Sequence, residues 1–120
     1  MEGRPGRPSS LARRLATEPS SLGRGSMHIV VRRYAEASAL ADVMVQREQE
    51  VRDLISTVPG FRAYYAARTG GGGVATVTVC DKNEGTDESV RRAAEWVRAN
   101  TSGASISPPE ITEGETYIAF

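Results

Sequence analysis

The chain contains aromatic side chains that can hold small phenols. Tyr64 and Tyr65 are adjacent, so in an extended strand they point to opposite faces. One of them is a candidate to hydrogen-bond a phenolic ligand; the alternative is one core tyrosine and one interface tyrosine. Trp96 could stack on an aromatic ligand at the edge of a pocket, or pack at the edge of the core or of a dimer.

A pair of arginines adds the possibility of anion binding. Arg32 and Arg33 are consecutive and end a β-branched run, so they also point in opposite directions. One of them could neutralise an oxyanion or an acidic substrate, and the alternative is a solvated or ion-paired guanidinium. Together with the tyrosines and Trp96, these residues are candidates for binding a small aromatic ligand.

Other reactive groups give weaker indications. His28 is a candidate general base, but its place at the start of a strand, with no paired carboxylate in sequence, favours a structural role. Cys80 is the only cysteine, which excludes an intrachain disulfide and a multi-cysteine zinc site. We expect it to be a buried small side chain whose thiol pKa Lys82 could lower modestly. The sequence predicts no metal and no cofactor.

Charge divides the chain into two parts. Residues 1–26 carry five arginines against two glutamates, or +3, and residues 27–120 carry ten basic against thirteen acidic residues, or −3. We predict that 1–26 is a disordered basic tail, an upstream extension ahead of Met27, and that 27–120 is one folded domain. The acidic excess of that domain disfavours nucleic-acid binding. No apolar run is long enough for a membrane span, so a cytoplasmic protein is expected.

Hydrophobic periodicity predicts the order β-α-β-β-α-β. Ser38 is the expected N-cap of the first helix, whose apolar stripe is interrupted at Arg47, and Thr86 is the expected N-cap of the second. Glycines between Thr69 and Gly73 predict a hairpin connection rather than a phosphate-binding loop, because no helix and no Gly-Lys-Ser/Thr sequence follows. The predicted elements are the strands His28–Tyr34, Phe61–Arg68, Val74–Cys80 and Ile111–Phe120, and the helices 38–58 and 86–103.

This element order predicts an α+β fold, a ferredoxin-like sandwich. It has a four-stranded antiparallel sheet with two helices on one face. The strands carry apolar residues on both faces, so the uncovered face would expose some of Val30, Tyr65, Val77 and Val79 to water. A second copy of the chain packed sheet to sheet would cover this surface. We therefore expect a homodimer.

Several stretches resemble the antibiotic biosynthesis monooxygenase-like (ABM-like) domains of the dimeric α+β barrel superfamily. The resemblance covers Met27–Phe120 and is carried by Val30-Val-Arg-Arg-Tyr34, Val58-Pro-Gly-Phe61 with Ala63-Tyr-Tyr65, Val77-Thr-Val79 and Ala93-Ala-Glu-Trp-Val-Arg98. It implies the fold predicted above and several uses. Some members oxidise aromatic polyketides without metal or flavin, some degrade haem and many have no known activity. The haem-degrading branch needs a histidine on the second helix, and 86–103 contains none.

Two hypotheses about function follow. The first is a cofactor-independent monooxygenase that deprotonates a small aromatic substrate in an apolar pocket and lets the carbanion react with oxygen. Arg33, Tyr65 and Trp96 would then position the substrate. The second is a non-enzymatic dimer that binds a small ligand or serves in assembly, and neither hypothesis involves nucleic acid or a membrane as partner.

Overall fold

The computed structural model describes residues 26–120. The predicted basic tail therefore lies outside the described residues, except for Ser26. The first compact unit of the chain is His28–Thr116, and the described residues 26–27 and Tyr117–Phe120 lie outside it. All helices and strands of the described residues belong to the first unit, and none of those helices is both long enough and apolar enough to cross a membrane.

The first unit has the predicted architecture. Its sheet is antiparallel, and its strands lie in the order β2 (Phe61–Thr69), β3 (Gly73–Cys80), β1 (His28–Tyr34) and β4 (Glu110–Glu115). The strands β2 and β4 are therefore at the edges. The helices contact the three strands β1, β2 and β3. This arrangement confirms the α+β, ferredoxin-like fold class. The elements are β1 His28–Tyr34, α1 Ser38–Gln46, α2 Glu48–Ser56, β2 Phe61–Thr69, β3 Gly73–Cys80, α3 Asn83–Asn100 and β4 Glu110–Glu115.

The predicted first helix is divided in two. Arg47 has φ −117° and ψ 38°, which is outside the helical region, and separates α1 from α2. The division falls at the residue where the apolar stripe is interrupted. Ser38 does not cap α1, because Ala37 occupies the N-cap position and makes no side-chain cap.

The beginning of α3 also differs from the prediction. The helix starts at Asn83, and Thr86 lies inside its first turn, where the Thr86 hydroxyl donates to the Asn83 carbonyl at 2.9 Å. Gly85 allows the first turn of α3 to lie close to Pro59 and Cys80. A Cβ at this position would collide with the carbonyl oxygen of Pro59 and with Cys80. The close approach of α3 to the sheet is therefore made by small residues, and Thr86 turns inward instead of acting as a cap.

Two further boundaries follow from local sequence. Gly71 and Gly72 have φ of 71° and 82°, the left-handed conformation that glycine adopts without strain, which confirms the hairpin between β2 and β3. β4 ends at Glu115, so the predicted strand of Ile111–Phe120 is too long at its C-terminal end.

The two faces of the sheet have different roles. The covered face, toward the helices, contains Val30, Arg32, Tyr34, Tyr64, Thr76 and Thr78. The open face contains Ile29, Val31, Arg33, Tyr65, Val77 and Val79, and Val77 stands between Val31 and Tyr65 on neighbouring strands. Val30 is fully buried on the covered face, so its predicted place on the open face is wrong. The core under the helices is built on Tyr34, Leu40 and Val74, with Trp96 packed against it.

Candidate functional site

A polar group lies between the sheet and the helices, where an apolar core would be expected. Arg32, Tyr34, Tyr64 and Thr76 line an inner pocket of about 20 Å³ on the sheet side. Leu40, Val51, Ile55 and Trp96 are among the residues that line it on the helix side. This space holds about one water molecule, so any larger ligand must occupy the grooves beside it.

Two grooves share residues with this inner pocket. The first runs between α1–α2 and β2, has a volume of about 620 Å³ and shares Met44 and Tyr64 with the pocket. The second, the α3–β4 groove, has a volume of about 420 Å³ and shares Arg32, Tyr34 and Val97 with it. Both volumes lie in the range of small-molecule sites. Only the α3–β4 groove has Arg32 in its wall.

Arg32 is the most unusual residue of this site. It is 3% exposed, and its Nε donates to the Thr76 hydroxyl at 3.1 Å. Within residues 26–120 no carboxylate lies at ion-pair distance from it. A buried cation without a counter-charge is costly. The arrangement therefore supplies a preformed positive site for an anion that enters from the groove.

The two tyrosines beside Arg32 are hydrogen-bond donors at neutral pH. Burial raises the pKa of Tyr64 above 10.0, and the positive charge of Arg32 opposes this effect only in part. Burial also raises the pKa of Tyr34, again against the charge of Arg32. The side chains of Thr76 and Arg32 also act to lower the pKa of Tyr64, but burial outweighs them. The site thus combines one fixed positive charge with neutral phenols that keep their protons.

Trp96 is the one sequence-predicted site residue that lines the inner pocket. Its Nε1 donates to Glu50 Oε1 at 2.7 Å, which fixes the indole between α3 and α2. Its ring packs against the core cluster. Trp96 therefore contributes an apolar surface to the helix side of the inner pocket.

Arg33 and Tyr65 lie elsewhere. Both are on the open face, where Arg33 pairs with Glu110 at 3.6 Å, while Tyr65 is 65% exposed and lines the groove between α1–α2 and β2. The structure does not bring them together with Trp96. Their sequence neighbours Arg32 and Tyr64 occupy the covered face instead, and together with Tyr34 and Thr76 they are the site residues that the sequence analysis missed. The signal for them was the spacing of Arg32 two residues from both Val30 and Tyr34, which places these three on one face of β1.

His28 and Cys80 do not contribute to this group. His28 is at the start of β1, and its buried Nδ1 has no hydrogen-bond partner in the described part of the chain. Cys80 is fully buried as predicted, and burial, with the charge of Asp81, raises its thiol pKa rather than Lys82 lowering it. Among residues 26–120, no three His, Cys, Asp or Glu side chains are grouped so that they could hold a metal ion.

Comparison with known proteins supports the fold. No family model and no curated protein sequence matches the chain. A protein of unknown function from Nitrosomonas europaea is 23% identical, covers 79% of this chain and 92% of its own, and superposes with a TM-score of 0.60.

Two further structures carry names that refer to a reaction. A protein from Bordetella bronchiseptica, named for antibiotic biosynthesis monooxygenases, is 11% identical and covers 78% of this chain and 100% of its own, with a TM-score of 0.59. A monooxygenase from Streptomyces coelicolor, in complex with the ligand nanaomycin D, is 18% identical and covers 80% and 90%, with a TM-score of 0.56. This chain therefore has the fold of the ABM-like domains, as its sequence motifs indicated.

Proposed function

We propose that this protein is a cofactor-independent monooxygenase of small phenols, which bind in the α3–β4 groove with the phenol oxygen on Arg32. The observation that carries the proposal is the buried guanidinium of Arg32, which faces a ligand-sized groove and has no carboxylate partner among residues 26–120. The ABM-like fold and the reaction named for two of its structural neighbours support the same assignment.

Arg32 would act by stabilising the ionised substrate. An opposite charge within about 4–6 Å lowers the pKa of an acid by about 1–3 units, so a phenol bound beside Arg32 releases its proton more easily. No Asp, Glu or His lines the groove, and Tyr34 keeps its own proton. The substrate proton would therefore pass to water.

The reaction that follows requires only the ionised phenol and O₂. The phenolate transfers an electron to O₂, and the radical pair combines into a peroxide anion at the ring carbon para to the oxygen, which takes a proton back from water to give the hydroperoxide. Loss of the proton on that carbon, with cleavage of the O–O bond, releases water and leaves a quinone. For 1-naphthol the balance is one O₂ consumed, one 1,4-naphthoquinone and one water formed. The apolar walls at Val97 and Ile106 would exclude water from the radical pair.

We also propose that the protein works as a homodimer in the cytoplasm, with no nucleic-acid or membrane partner. The apolar row of Val31, Val77 and Tyr65 on the open face supports a second copy as the partner. The α3–β4 groove lies on the other side of the sheet, so such a dimer leaves the proposed site accessible.

Oxygen uptake tests the enzymatic proposal. We expect the full chain to consume O₂ in the presence of 1-naphthol and to form 1,4-naphthoquinone in equal amount. Arg32→Gln keeps the size of the side chain and removes its charge, so we expect kcat/KM to fall by about 10²–10³-fold, the usual effect of losing one charge-stabilising donor.

Arg91→Gln is the matched control. Arg91 is an exposed residue of α3 that pairs with Glu88 and Glu95 away from the groove, so its loss should leave turnover unchanged. Equal turnover by wild type and Arg32→Gln contradicts the proposal. Binding of 1-naphthol without oxygen uptake also contradicts it, and favours the alternative of a ligand-binding dimer.

A further inference from the structure

The arginines of the compact unit differ sharply in their partners. Nine arginines lie between His28 and Thr116, and seven of them form ion pairs with carboxylates. The two that form none within the described residues are Arg32 and Arg98. The seven paired arginines are Arg33, Arg47, Arg52, Arg62, Arg68, Arg91 and Arg92.

Both unpaired arginines line the α3–β4 groove. Arg32 marks its buried end, and Arg98, an exposed residue in the last turn of α3, marks its outer end. The helix C-terminus carries a partial negative charge that favours Arg98, but this is worth less than a full counter-charge. The two arginines of His28–Thr116 that have no carboxylate partner among the described residues therefore line the same groove.

The rest of the lining fits an amphipathic anion. No acidic residue contributes to the groove, although acidic residues outnumber basic ones by thirteen to ten in 27–120. Ser102 and Ser107 supply hydroxyl groups, while Val97, Ile106 and Ile111 supply an apolar surface. A highly charged ligand such as a phosphate would not use this apolar surface, whereas an aromatic acid would.

We propose that the natural ligand of this groove is a hydroxyaryl carboxylic acid, with its carboxylate on Arg98 and its phenol oxygen on Arg32. This inference rests on the proposed function and specifies its substrate class. Arginine pairs with a carboxylate through two parallel N–H···O hydrogen bonds, so Arg98 would select the carboxylate and set the direction in which the ring enters. The hydroxyl would then be delivered to Arg32.

Binding of two matched ligands to the full chain tests this assignment. The probes are 6-hydroxy-2-naphthoate and 6-hydroxy-2-naphthamide, which share a ring and a hydroxyl and differ in the charge at the far end. We expect the carboxylate to bind about tenfold more tightly by titration calorimetry, since a charge-assisted pair contributes about 1.4 kcal/mol. We also expect this preference to decrease at high salt, because Arg98 is exposed.

Substitution of the outer arginine should affect one probe only. Arg98→Gln should remove the tenfold preference while the amide binds as before, and Arg91→Gln on the same helix should keep the preference. Equal binding of both probes to wild type overturns the inference, as does an equal loss of both in Arg98→Gln. Tighter binding of 2-naphthyl phosphate than of the carboxylate also overturns it.

Failure of the proposed function gives a different result. If neither naphthoate nor naphthamide binds, the groove holds no ring and both proposals are wrong. If 1-naphthol is oxygenated but the carboxylate preference is absent, only the assignment of Arg98 fails.

Discussion

At the scale of single residues, Arg32 carries a positive charge in a place that water barely reaches. Its hydrogen bond to Thr76 satisfies one donor but provides no negative charge. Replacing a charge of this kind with a neutral group often leaves stability unchanged or increases it. An uncompensated charge that the fold retains is therefore more easily explained by a ligand than by stability.

The pKa values of Tyr34 and Tyr64 make the stability of the protein depend on alkaline pH. Both are raised above 10.0 by burial, so the folded state holds protons that the unfolded chain releases near pH 10. Their contribution to stability is complete below pH 10 and is lost as pH rises through the folded pKa. We expect Tyr64→Phe to reduce the fall in unfolding free energy between about pH 9 and about pH 11.

Urea denaturation across this range measures the effect. Arg32→Gln should make the fall steeper, because the charge of Arg32 lowers the pKa of both tyrosines. Tyr65→Phe is the control, since Tyr65 is exposed on the open face. If Tyr64→Phe and wild type lose stability in parallel, the burial of the Tyr64 hydroxyl is contradicted.

At the scale of elements, the sequence predicted what local chemistry decides. β-Branched runs identified β1 and β3, and glycine identified the hairpin, because these preferences act within a few residues. The start of α3 at Asn83 depends on contacts between distant residues. Gly85, for example, packs against Pro59 and Cys80. Such contacts are not visible in a local pattern.

The site was predicted only in part because the sequence does not tell which alternate residues of each strand face the helices. In β3 the covered face holds Thr76 and Thr78, and the open face holds Val77 and Val79. The hydrophobicity of β3 alone therefore does not tell which of its faces the helices cover. Without that information, Arg33 and Tyr65 were named as candidates instead of their neighbours Arg32 and Tyr64. Trp96 lines the inner pocket and also packs against the core, so its role as a ligand-binding residue stays a prediction.

At the scale of the whole molecule, the open face predicts self-association. Val77→Lys would place a charge at the centre of this face, next to Val31 and Tyr65. We expect wild type to sediment as a dimer and Val77→Lys as a folded monomer. Val45→Lys makes the same change at an exposed position of α1 and should stay dimeric. Tyr65→Lys, on the edge strand, is a second variant if Val77→Lys does not fold.

A monomeric wild type at all accessible concentrations would contradict the homodimer. A dimer that Val77→Lys and Tyr65→Lys both leave intact would place the interface on another surface. Neither result affects the α3–β4 groove, which lies on the helix side of the sheet.

The proposed function depends on whether Arg32 stabilises an anionic ligand. The ionisation of bound 1-naphthol measures this stabilisation directly. The phenolate absorbs at a longer wavelength than the phenol, so a pH titration of the complex without O₂ gives the pKa of the bound ligand. We predict that it lies about 1–3 units below that of free 1-naphthol, and that Arg32→Gln abolishes the difference while Arg91→Gln preserves it. If the pKa of bound 1-naphthol is equal to or above that of free 1-naphthol, Arg32 does not stabilise the phenolate and the proposed function is contradicted.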